Sequence, residues 1–479
     1  MRYSLKFILF RVFLAFSLLG VANSDSRAAQ EHGHHTPLDD YVAKKDSAYS
    51  WRIIQTTRAD DYTLFAIELI SQTWRSTKEV DQPKWKHWIK VVRPKVVSSE
   101  TGLLFVGGSN QDSQPLGPKD FLLDLATRTH TVVAELFDVP NQPLVFADGK
   151  RPMSEDDLIA FTWKKYLQTK DQEWPAILPM VKSVVRSMDA LQEVAVTTEF
   201  GPVGLKKFVL AGKSKRAKTV WNTAAVDPRV VAVAPLVYDV LNIPKNMRNH
   251  FESYGFWAPA IGDYVRAGIA GKEGNPKFLK LLNIEDPYSY RVRFTMPKLV
   301  LNAAGDEYFT PDSSRFYYDD LPDEKILRYV PNADHSLEGT DAFETFACFY
   351  ESMVRGLKRP KYSWKFLDDG SIRIETSDSP KEVKLWRAYN PIARDFRIEK
   401  VGPIYESVPL RALDGNIFIG KIEPVEQGFT AFFVELAYDI GAQYPLKVTT
   451  AVRILPDVLP FQDKNESLPK AKIRVLKKP

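Results

Sequence analysis

The amino-acid sequence predicts a doubly wound α/β domain followed by a smaller β-rich domain. Up to about residue 358, short uninterrupted apolar runs such as KKFVLAG alternate with helical stripes, as in parallel sheets that helices cover on both faces. From about residue 361 these patterns give way to short segments of alternating hydrophobicity. A chain of 479 residues is too long for one compact core, which agrees with two domains.

The predicted α/β domain spans residues 49–358. One helix is predicted to begin after Ser154, which is placed as its N-cap, and a second helix carries the apolar stripe of AILPMVKSVVRSMDALQEV. An aromatic-rich stretch at about 241–283 is predicted to form a cap insertion. The predicted strands are, in chain order, YTLFAIELIS, WIKVVRP, TGLLFVGGSN, KKFVLAG, VVAVAPLVYD, MPKLVLNAAGD and KILRYV.

The predicted β-rich domain spans residues 361–460. Turn signals such as Asp369-Gly370 separate six or seven short strands, which indicates a β-sandwich. A basic tail over 461–479 follows. The strand-like segments are YSWKFLDD, SIRIETSD, EVKLWRAY, NIFIGKIEP, TAFFVELAYD and LKVTTAVRI.

The N-terminal residues resemble a secretory signal peptide, predicted over 1–24. A basic start precedes the apolar run VFLAFSLLGVA, which is too short to cross a bilayer as a helix, for which about 20 residues are needed. The alternative is an uncleaved amphipathic anchor. A flexible arm is predicted over 25–48, and its clustered His32, His34 and His35 are interpreted as solvated rather than metal-binding.

Composition and charge restrict the class of function. The net charge of +5, of which the leader carries three positive charges, leaves no basic footprint for nucleic acid. Cys348 is the single cysteine, so no intrachain disulfide is possible, and its apolar surroundings indicate a buried thiol rather than a nucleophile. Together with the leader, these features predict a secreted or periplasmic protein that needs no cofactor or metal and meets the membrane only through its signal peptide.

A serine follows the buried strand KKFVLAG in a pattern typical of a nucleophile elbow. Gly212, Lys213 and Ser214 lead into a helix-capable stretch, and such a strand-to-helix turn pushes a serine hydroxyl out above the sheet edge. The second glycine of this motif is absent, because Arg216 stands at its position. The alternative is an ordinary turn serine exposed to solvent.

An acid and a histidine follow the serine, each at the end of a later predicted strand. Asp306 ends MPKLVLNAAGD and His335 follows KILRYV, which is the chain order of the α/β-hydrolase fold. We therefore predict a serine triad of Ser214, Asp306 and His335. Alternatively, Asp306 is a helix N-cap with Glu307 or Asp312 as the acid, and His335 is an exposed loop residue.

Two further groups of residues are predicted to complete the site. The backbone N–H of Lys215 and the glycine loop at Gly108 and Ser109 are placed in the oxyanion hole, and the alternative for the loop is an ordinary glycine turn. In the predicted cap, Trp257 and Tyr254 either contact an apolar or aromatic part of the substrate or only pack the cap against the body.

Several of these stretches together resemble the PhoPQ-activated pathogenicity-related family, from about Asp39 to Ile454. The resemblance implies an α/β-hydrolase fold, export and, in bacteria, an association with virulence and with resistance to host antimicrobial peptides. The family usually has glycine then tryptophan after Ser-Lys-Arg, where this chain has Ala217 and Lys218. The stretches that carry the resemblance are GKSKRAKTVWNTAAVDPRV, LLFVGGSN, LNAAGDEYFTPDSS, PNADHSL and WRAYNPIARDFR.

Two hypotheses of function follow from the sequence. The first is an exported serine hydrolase that acts on an ester or an amide, with a small molecule or a peptide as its substrate. The second is a non-catalytic secreted binding or signalling protein that keeps the hydrolase body as a scaffold, which the missing second glycine motivates. The sequence leaves the oligomeric state open.

Overall fold

The computed structural model describes residues 35–109 and 120–462, and the described residues from Thr36 onward belong to one compact unit. The predicted signal peptide, the first part of the arm with His32 and His34, and nearly all of the basic tail lie outside these residues. The predicted flexible arm is wrong for the stretch Pro37–Ala43, which forms a helix, α1. Thr36 caps this helix, and burial of Leu38 and Tyr41 fixes it to the body.

Nineteen strands lie in the described part of the chain. They are β1 Ser50–Arg58, β2 Tyr62–Thr73, β3 Lys84–Pro94, β4 Thr101–Val106, β5 Val133–Leu136, β6 Leu144–Val145, β7 Pro152–Met153, β8 Lys207–Lys213, β9 Val230–Leu236, β10 Lys298–Ala303, β11 Lys325–Val330, β12 Tyr362–Phe366, β13 Ile372–Thr376, β14 Glu382–Asn390, β15 Glu406–Pro409, β16 Ile417–Gly420, β17 Phe429–Tyr438, β18 Leu446–Thr449 and β19 Arg453–Leu455.

Along the chain, most of the helices lie between strands of the nine-stranded sheet described below. After α1 they are α2 Asp120–Thr129, α3 Glu155–Thr169, α4 Ile177–Ala195, α5 Lys215–Val226, α6 Ile243–Tyr254, α7 Gly262–Arg266, α8 Pro276–Glu285, α9 Ala342–Arg355 and α10 Ile398–Val401, with 3-10 turns at Pro259–Ile261, Pro287–Arg293 and Ser313–Phe316.

The central sheet has nine strands in the order β1-β2-β3-β5-β4-β8-β9-β10-β11. The strands from β5 through β11 in this order pair in parallel, whereas β1, β2 and β3 pair in antiparallel fashion at one side. The parallel part places the carboxyl ends of β8, β10 and β11 on one edge, where the predicted triad residues follow. This topology confirms the α/β-hydrolase fold.

Both faces of the parallel part of the sheet are buried, as the apolar runs predict, whereas no residue of β1 is buried. Neighbouring residues of β4 point to opposite faces, because Leu104 packs in the core with α4 and α5 whereas Phe105 packs in the core with α2 and α9. The α3 start differs from its prediction in one detail. Ser154 occupies the N-cap position without a side-chain cap bond, and Gln142 Oε1 accepts the N–H of Glu155 at 2.8 Å instead.

The C-terminal region consists of two antiparallel sheets, which confirms the predicted β-sandwich-like fold. One sheet has the order β12-β13-β16, and the other has β15-β14-β17 with β18 and β19 both paired to β17. A Cβ on Gly420 would approach Val434 Cγ2 to 2.6 Å, so the two sheets pack closely. This region also contacts the central sheet, since Tyr329 of β11 donates its N–H to Thr449 Oγ1 at 2.9 Å.

Three helices, α6, α7 and α8, lie within or next to the predicted cap stretch of 241–283, and residues of α6 and α7 line a pocket together with Ser214, which follows β8. Across both described ranges, every helix falls short of the combined length and apolar character that crossing a bilayer demands.

Candidate active site

Ser214 stands at a strained turn between β8 and α5. Its backbone has φ 55° and ψ −127°, a conformation that residues with a side chain rarely adopt. The N–H of Ser214 donates to the Leu236 carbonyl at 2.9 Å, which ties the turn to the end of β9. This is the backbone geometry that a nucleophile elbow requires.

Arg216 is accommodated in the elbow although glycine is expected there. Its Nε donates to the Val139 carbonyl at 2.6 Å, and its two terminal nitrogens bind the Glu155 carboxylate at 2.5 and 2.7 Å. The guanidinium crosses the space next to Gly108, where a Cβ would lie 1.9 Å from Nη2. The glycine at 108 therefore makes room for Arg216, whose bidentate pair fixes the first turn of α5.

Asp306 and His335 form the acid–histidine pair that the chain order predicts. His335 Nδ1 donates to Asp306 Oδ2 at 2.8 Å, and Asp306 Oδ1 accepts the N–H of Tyr308 at 2.8 Å. The alternative acids hold other partners: Glu307 accepts the backbone N–H of His335 at 3.1 Å, and Asp312 pairs with a buried arginine. Because Nδ1 carries the proton, Nε2 is left to accept one.

Electrostatics favour a protonated imidazole at His335. Burial works against the charged ring, but the nearby Asp306 carboxylate and then Glu307 outweigh it, and the pKa of His335 is raised from its ordinary value. The side chain of His335 remains 14% exposed, so it can exchange protons with a ligand or with water. An imidazole held in this way suits a general base that becomes charged during a reaction.

The serine turn and the histidine loop lie side by side. The Lys213 ammonium donates to the Ser336 carbonyl, which joins the residues next to Ser214 and His335. The Tyr308 ring lies 4.4 Å from the His335 ring and lines the same pocket as Ser214. Among residues 35–109 and 120–462, no hydrogen bond joins the Ser214 hydroxyl to His335. Catalytic hydrogen bonds are often long in unliganded proteins.

The predicted oxyanion donors lie near this edge. Lys215 is the first residue of α5, so its N–H has no partner within the helix, and its ammonium binds Glu155 at 2.7 Å. Ser109 is held at the end of β4, because its hydroxyl donates to Asp138 Oδ1 at 2.5 Å. The role of Lys215, Gly108 and Ser109 in binding an oxyanion stays a prediction.

A pocket opens beside Ser214 and is lined mostly by apolar and aromatic side chains. Trp257 of the predicted cap stretch lies in its wall, and its contact with a substrate stays a prediction. Tyr254 does not: it is buried between His250 and Phe256, with the Arg397 guanidinium 5.0 Å from its ring. The interpretation of Tyr254 as a substrate contact is therefore corrected to a packing role.

Three pocket residues were missed by reasoning from the sequence. Neither Trp163 nor Asp156 was predicted as a site residue, yet both line the pocket. Lys218 also lines it and is paired with Glu285 at 2.5 Å, both being nearly fully buried. For Lys218, the sequence contained a usable signal. Lys218 lies four residues after Ser214, and residues four apart share a face of a helix, so its side chain could have been predicted near the serine.

Solved structures with a similar fold include esterases. Acetyl xylan esterase 1 from Thermoanaerobacterium sp. JW/SL YS485 is 13% identical, with a TM-score of 0.48 over 68% of this chain and 93% of that chain. An acetyl xylan esterase from Paenibacillus sp. R4 is 12% identical, with a TM-score of 0.47 over 71% of this chain and 96% of that chain.

One relative matches nearly the whole chain. "Autocrine proliferation repressor protein A" from Dictyostelium discoideum is 36% identical over 456 residues, which are 89% of this chain and 92% of that protein. The sequence pattern of the family described as PhoPQ-activated pathogenicity-related protein matches residues 38–397. The match to the family pattern and the 36% identity to this relative show that the chain belongs to the PhoPQ-activated pathogenicity-related protein family.

Proposed function

We propose that this protein is a serine hydrolase that cleaves an ester or an amide. Ser214 is the nucleophile, His335 the general base, and Asp306 the carboxylate that orients the imidazole. The observation that carries the proposal is the 2.8 Å bond from His335 Nδ1 to Asp306, at the same sheet edge as a serine with φ 55°. Strained serines at a strand-to-helix turn are concentrated in sites of this chemistry.

The proposed reaction has two stages, acylation of Ser214 and hydrolysis of the acyl-enzyme, and His335 transfers protons in both. The Ser214 oxygen attacks the carbonyl carbon while its proton passes to Nε2 of His335, and the backbone N–H of Lys215 binds the oxyanion. His335 then gives the proton to the departing alcohol or amine, which leaves an acyl ester on Ser214. Water deprotonated by His335 hydrolyses that ester and restores the serine.

A serine-directed fluorophosphonate probe tests the proposal. Wild-type protein is expected to be labelled, and Ser214→Ala is expected to lose both the label and the hydrolysis of p-nitrophenyl esters. Ser71→Ala is the matched control, because Ser71 also contacts a histidine but is fully buried. Labelling of Ser214→Ala at the wild-type level would contradict the proposal.

A second candidate is a secreted signalling protein without catalysis. The name of the Dictyostelium relative favours it. On this alternative the folded protein resists the probe, and Ser214→Ala retains every biological effect of the wild type. The labelling experiment therefore discriminates between the two candidates.

We also propose that the protein is exported to the periplasm or medium and acts there in pathogenicity, the process that its family's description names. The basic start and apolar run of the leader support export. N-terminal sequencing of the exported protein is expected to find a mature end close to residue 25. An intact leader on membrane-bound protein would instead indicate an anchor.

A further inference from the structure

Lys218 brings unsatisfied hydrogen-bond donors to the pocket next to Ser214. It lies one turn further along α5, lines the pocket, and is 3% exposed. Its ammonium carries three N–H donors. Within the described chain it makes one hydrogen bond, to Glu285 Oε2 at 2.5 Å. Because a buried donor without an acceptor destabilises the protein, the remaining donors are suited to a ligand atom.

Trp163 supplies another donor beside Lys218. The Lys218 Nζ lies 5.1 Å from the centre of the Trp163 ring, and both residues line the pocket. The indole N–H of Trp163 is buried and finds no hydrogen-bond partner in the part of the chain that the structure describes. An indole and an ammonium can only donate, so together they select for an acceptor atom.

The charge balance around this wall favours an acceptor without a formal charge. The basic groups are already paired with acidic ones, so a bound anion would add an uncompensated negative charge in a poorly solvated place. The acidic and basic side chains concerned are Glu155, Asp156, Glu285, Lys215, Arg216 and Lys218.

Much of the remaining wall is apolar and offers no hydrogen bond to a polar group. Ile243, Met247 and Ile269 line the pocket together with several aromatic rings. A substrate portion that fits is therefore apolar along most of its length. One uncharged oxygen on it would meet the donors.

We propose that Lys218 and Trp163 determine substrate specificity by binding an uncharged carbonyl oxygen in an otherwise apolar part of the substrate. This inference rests on the proposed serine hydrolase, whose site it extends. The substrate class is then an ester or amide with a second carbonyl group at a distance from the bond that is cleaved.

The kinetic test compares p-nitrophenyl octanoate with its oxo derivatives, in which a ketone stands at each internal carbon in turn. Wild-type protein is expected to favour one oxo position over octanoate in kcat/KM by about tenfold to hundredfold, since a hydrogen bond to a charged donor is among the stronger ones. The monoester of octanedioic acid, which presents a carboxylate, is expected to be the poorest substrate of the series.

Two variants assign the preference to these side chains. Lys218→Met combined with Glu285→Gln removes both charges, so that no buried charge is left without a partner. Trp163→Phe removes only the indole N–H and keeps the ring. The double variant is expected to lose the ketone preference, and Trp163→Phe is expected to lose part of it.

A binding measurement separates this inference from the proposed function. Calorimetric titration of wild-type protein with octanamide and with the corresponding oxo-octanamides compares their Kd without any turnover. Preference for the oxo ligand in wild type and its loss in the double variant support the inference even where no ester is cleaved. Equal Kd values for both ligands, or an unchanged preference in the double variant, overturn it, while fluorophosphonate labelling of Ser214 still decides the proposed function.

Discussion

The molecule contains a serine–histidine contact away from the proposed site, and the two regions differ in instructive ways. In the sheet body, Ser71 Oγ lies 3.0 Å from His87 Nε2, whereas at the sheet edge Ser214 makes no such bond in the described residues. Yet His87 is fully buried and its Nδ1 meets the Phe137 carbonyl at 3.3 Å, not a carboxylate. A hydrogen bond between serine and histidine is thus a poor mark of catalysis.

What distinguishes the edge region is charge, backbone strain and access. Burial lowers the pKa of His87 to about 4, so this ring stays neutral at physiological pH. The carboxylate beside His335 raises the pKa of that ring, because it outweighs burial. Ser214 has a strained backbone beside an open pocket, while Ser71 sits within a strand that other residues cover. A reactive pair needs a partner for the developing imidazolium and a path for substrate.

The largest effect is expected from removing the carboxylate of Asp306, which pairs with His335 and has no counterpart beside His87. Asp306→Asn keeps the shape of the turn but allows the wrong imidazole tautomer and no longer stabilises the imidazolium. We expect kcat/KM toward p-nitrophenyl esters to fall by about 10⁴-fold. His87→Gln is the control for loss of a histidine elsewhere and is expected to change stability rather than kcat/KM at equal folded concentration. Wild-type kcat/KM in Asp306→Asn would exclude Asp306 as the acid.

The sequence predicted the turns that carry Ser214 and Asp306, because each turn follows a buried parallel strand and parallel strands end at the same edge of a sheet. It did not predict what supports these turns, because the partners are remote in sequence. Lys218 and Glu285 are separated by 67 residues. Likewise, Ser71 and His87 look like ordinary members of β2 and β3, and only strand register brings them together.

The next largest effect is expected at the loop over residues 305–312, here called the acid turn, which contains Asp306. The connection between β14 and β15 of the C-terminal region supports this turn through Arg394. Arg394 binds Asp312 Oδ2 at 2.7 Å and Ser253 Oγ at 2.8 Å, all three residues being almost fully buried. Burial opposes ionisation of Asp312, but Arg394 outweighs it and lowers the pKa of that carboxyl to about 2. Arg394→Met leaves buried Asp312 with only the longer contact to the exposed Arg315, at 3.4 Å, as its ion pair. It is expected to reduce the free energy of unfolding by about 3–5 kcal/mol in urea denaturation.

A double variant serves as the control for this effect. Arg394→Met with Asp312→Asn removes both charges and is expected to recover most of the lost stability. The NMR signals of His87 are expected to stay unchanged in the folded single variant, because its surroundings lie in the sheet body. An unaltered urea midpoint in Arg394→Met would show that the C-terminal region does not support the acid turn.

A smaller effect is expected from crowding the acid turn itself. A Cβ on Gly305 would lie 2.9 Å from the Ala333 carbonyl oxygen and 3.0 Å from Ile398 Cβ, so the backbone next to Asp306 must shift. Gly305→Ala is expected to reduce the free energy of unfolding by about 1–3 kcal/mol and to lower kcat/KM. Gly274→Ala is the matched control, since its Cβ would meet no atom within 4 Å, and we expect a change within about 0.5 kcal/mol. Equal effects of the two substitutions would contradict the packing argument.

The pH dependence of activity gives the finest test of the difference between the two histidines. A protonated imidazole cannot accept the Ser214 proton, so kcat/KM falls as the pH drops through the pKa of His335. Burial lowers this pKa, but Asp306 and Glu307 raise it above the usual value of 6.5, so the midpoint of the acid limb is expected above pH 6.5. His87 titrates near pH 4 and cannot produce that limb. Two variants are expected to shift the midpoint of this acid limb in opposite directions.

Glu307→Gln keeps an acceptor for the backbone N–H of His335 but removes a negative charge, so it is expected to move the midpoint to lower pH. Lys215→Met removes a positive charge that lowers the pKa of His335, so it is expected to move the midpoint to higher pH. Shifts in one common direction would mean that the limb reports a group other than His335.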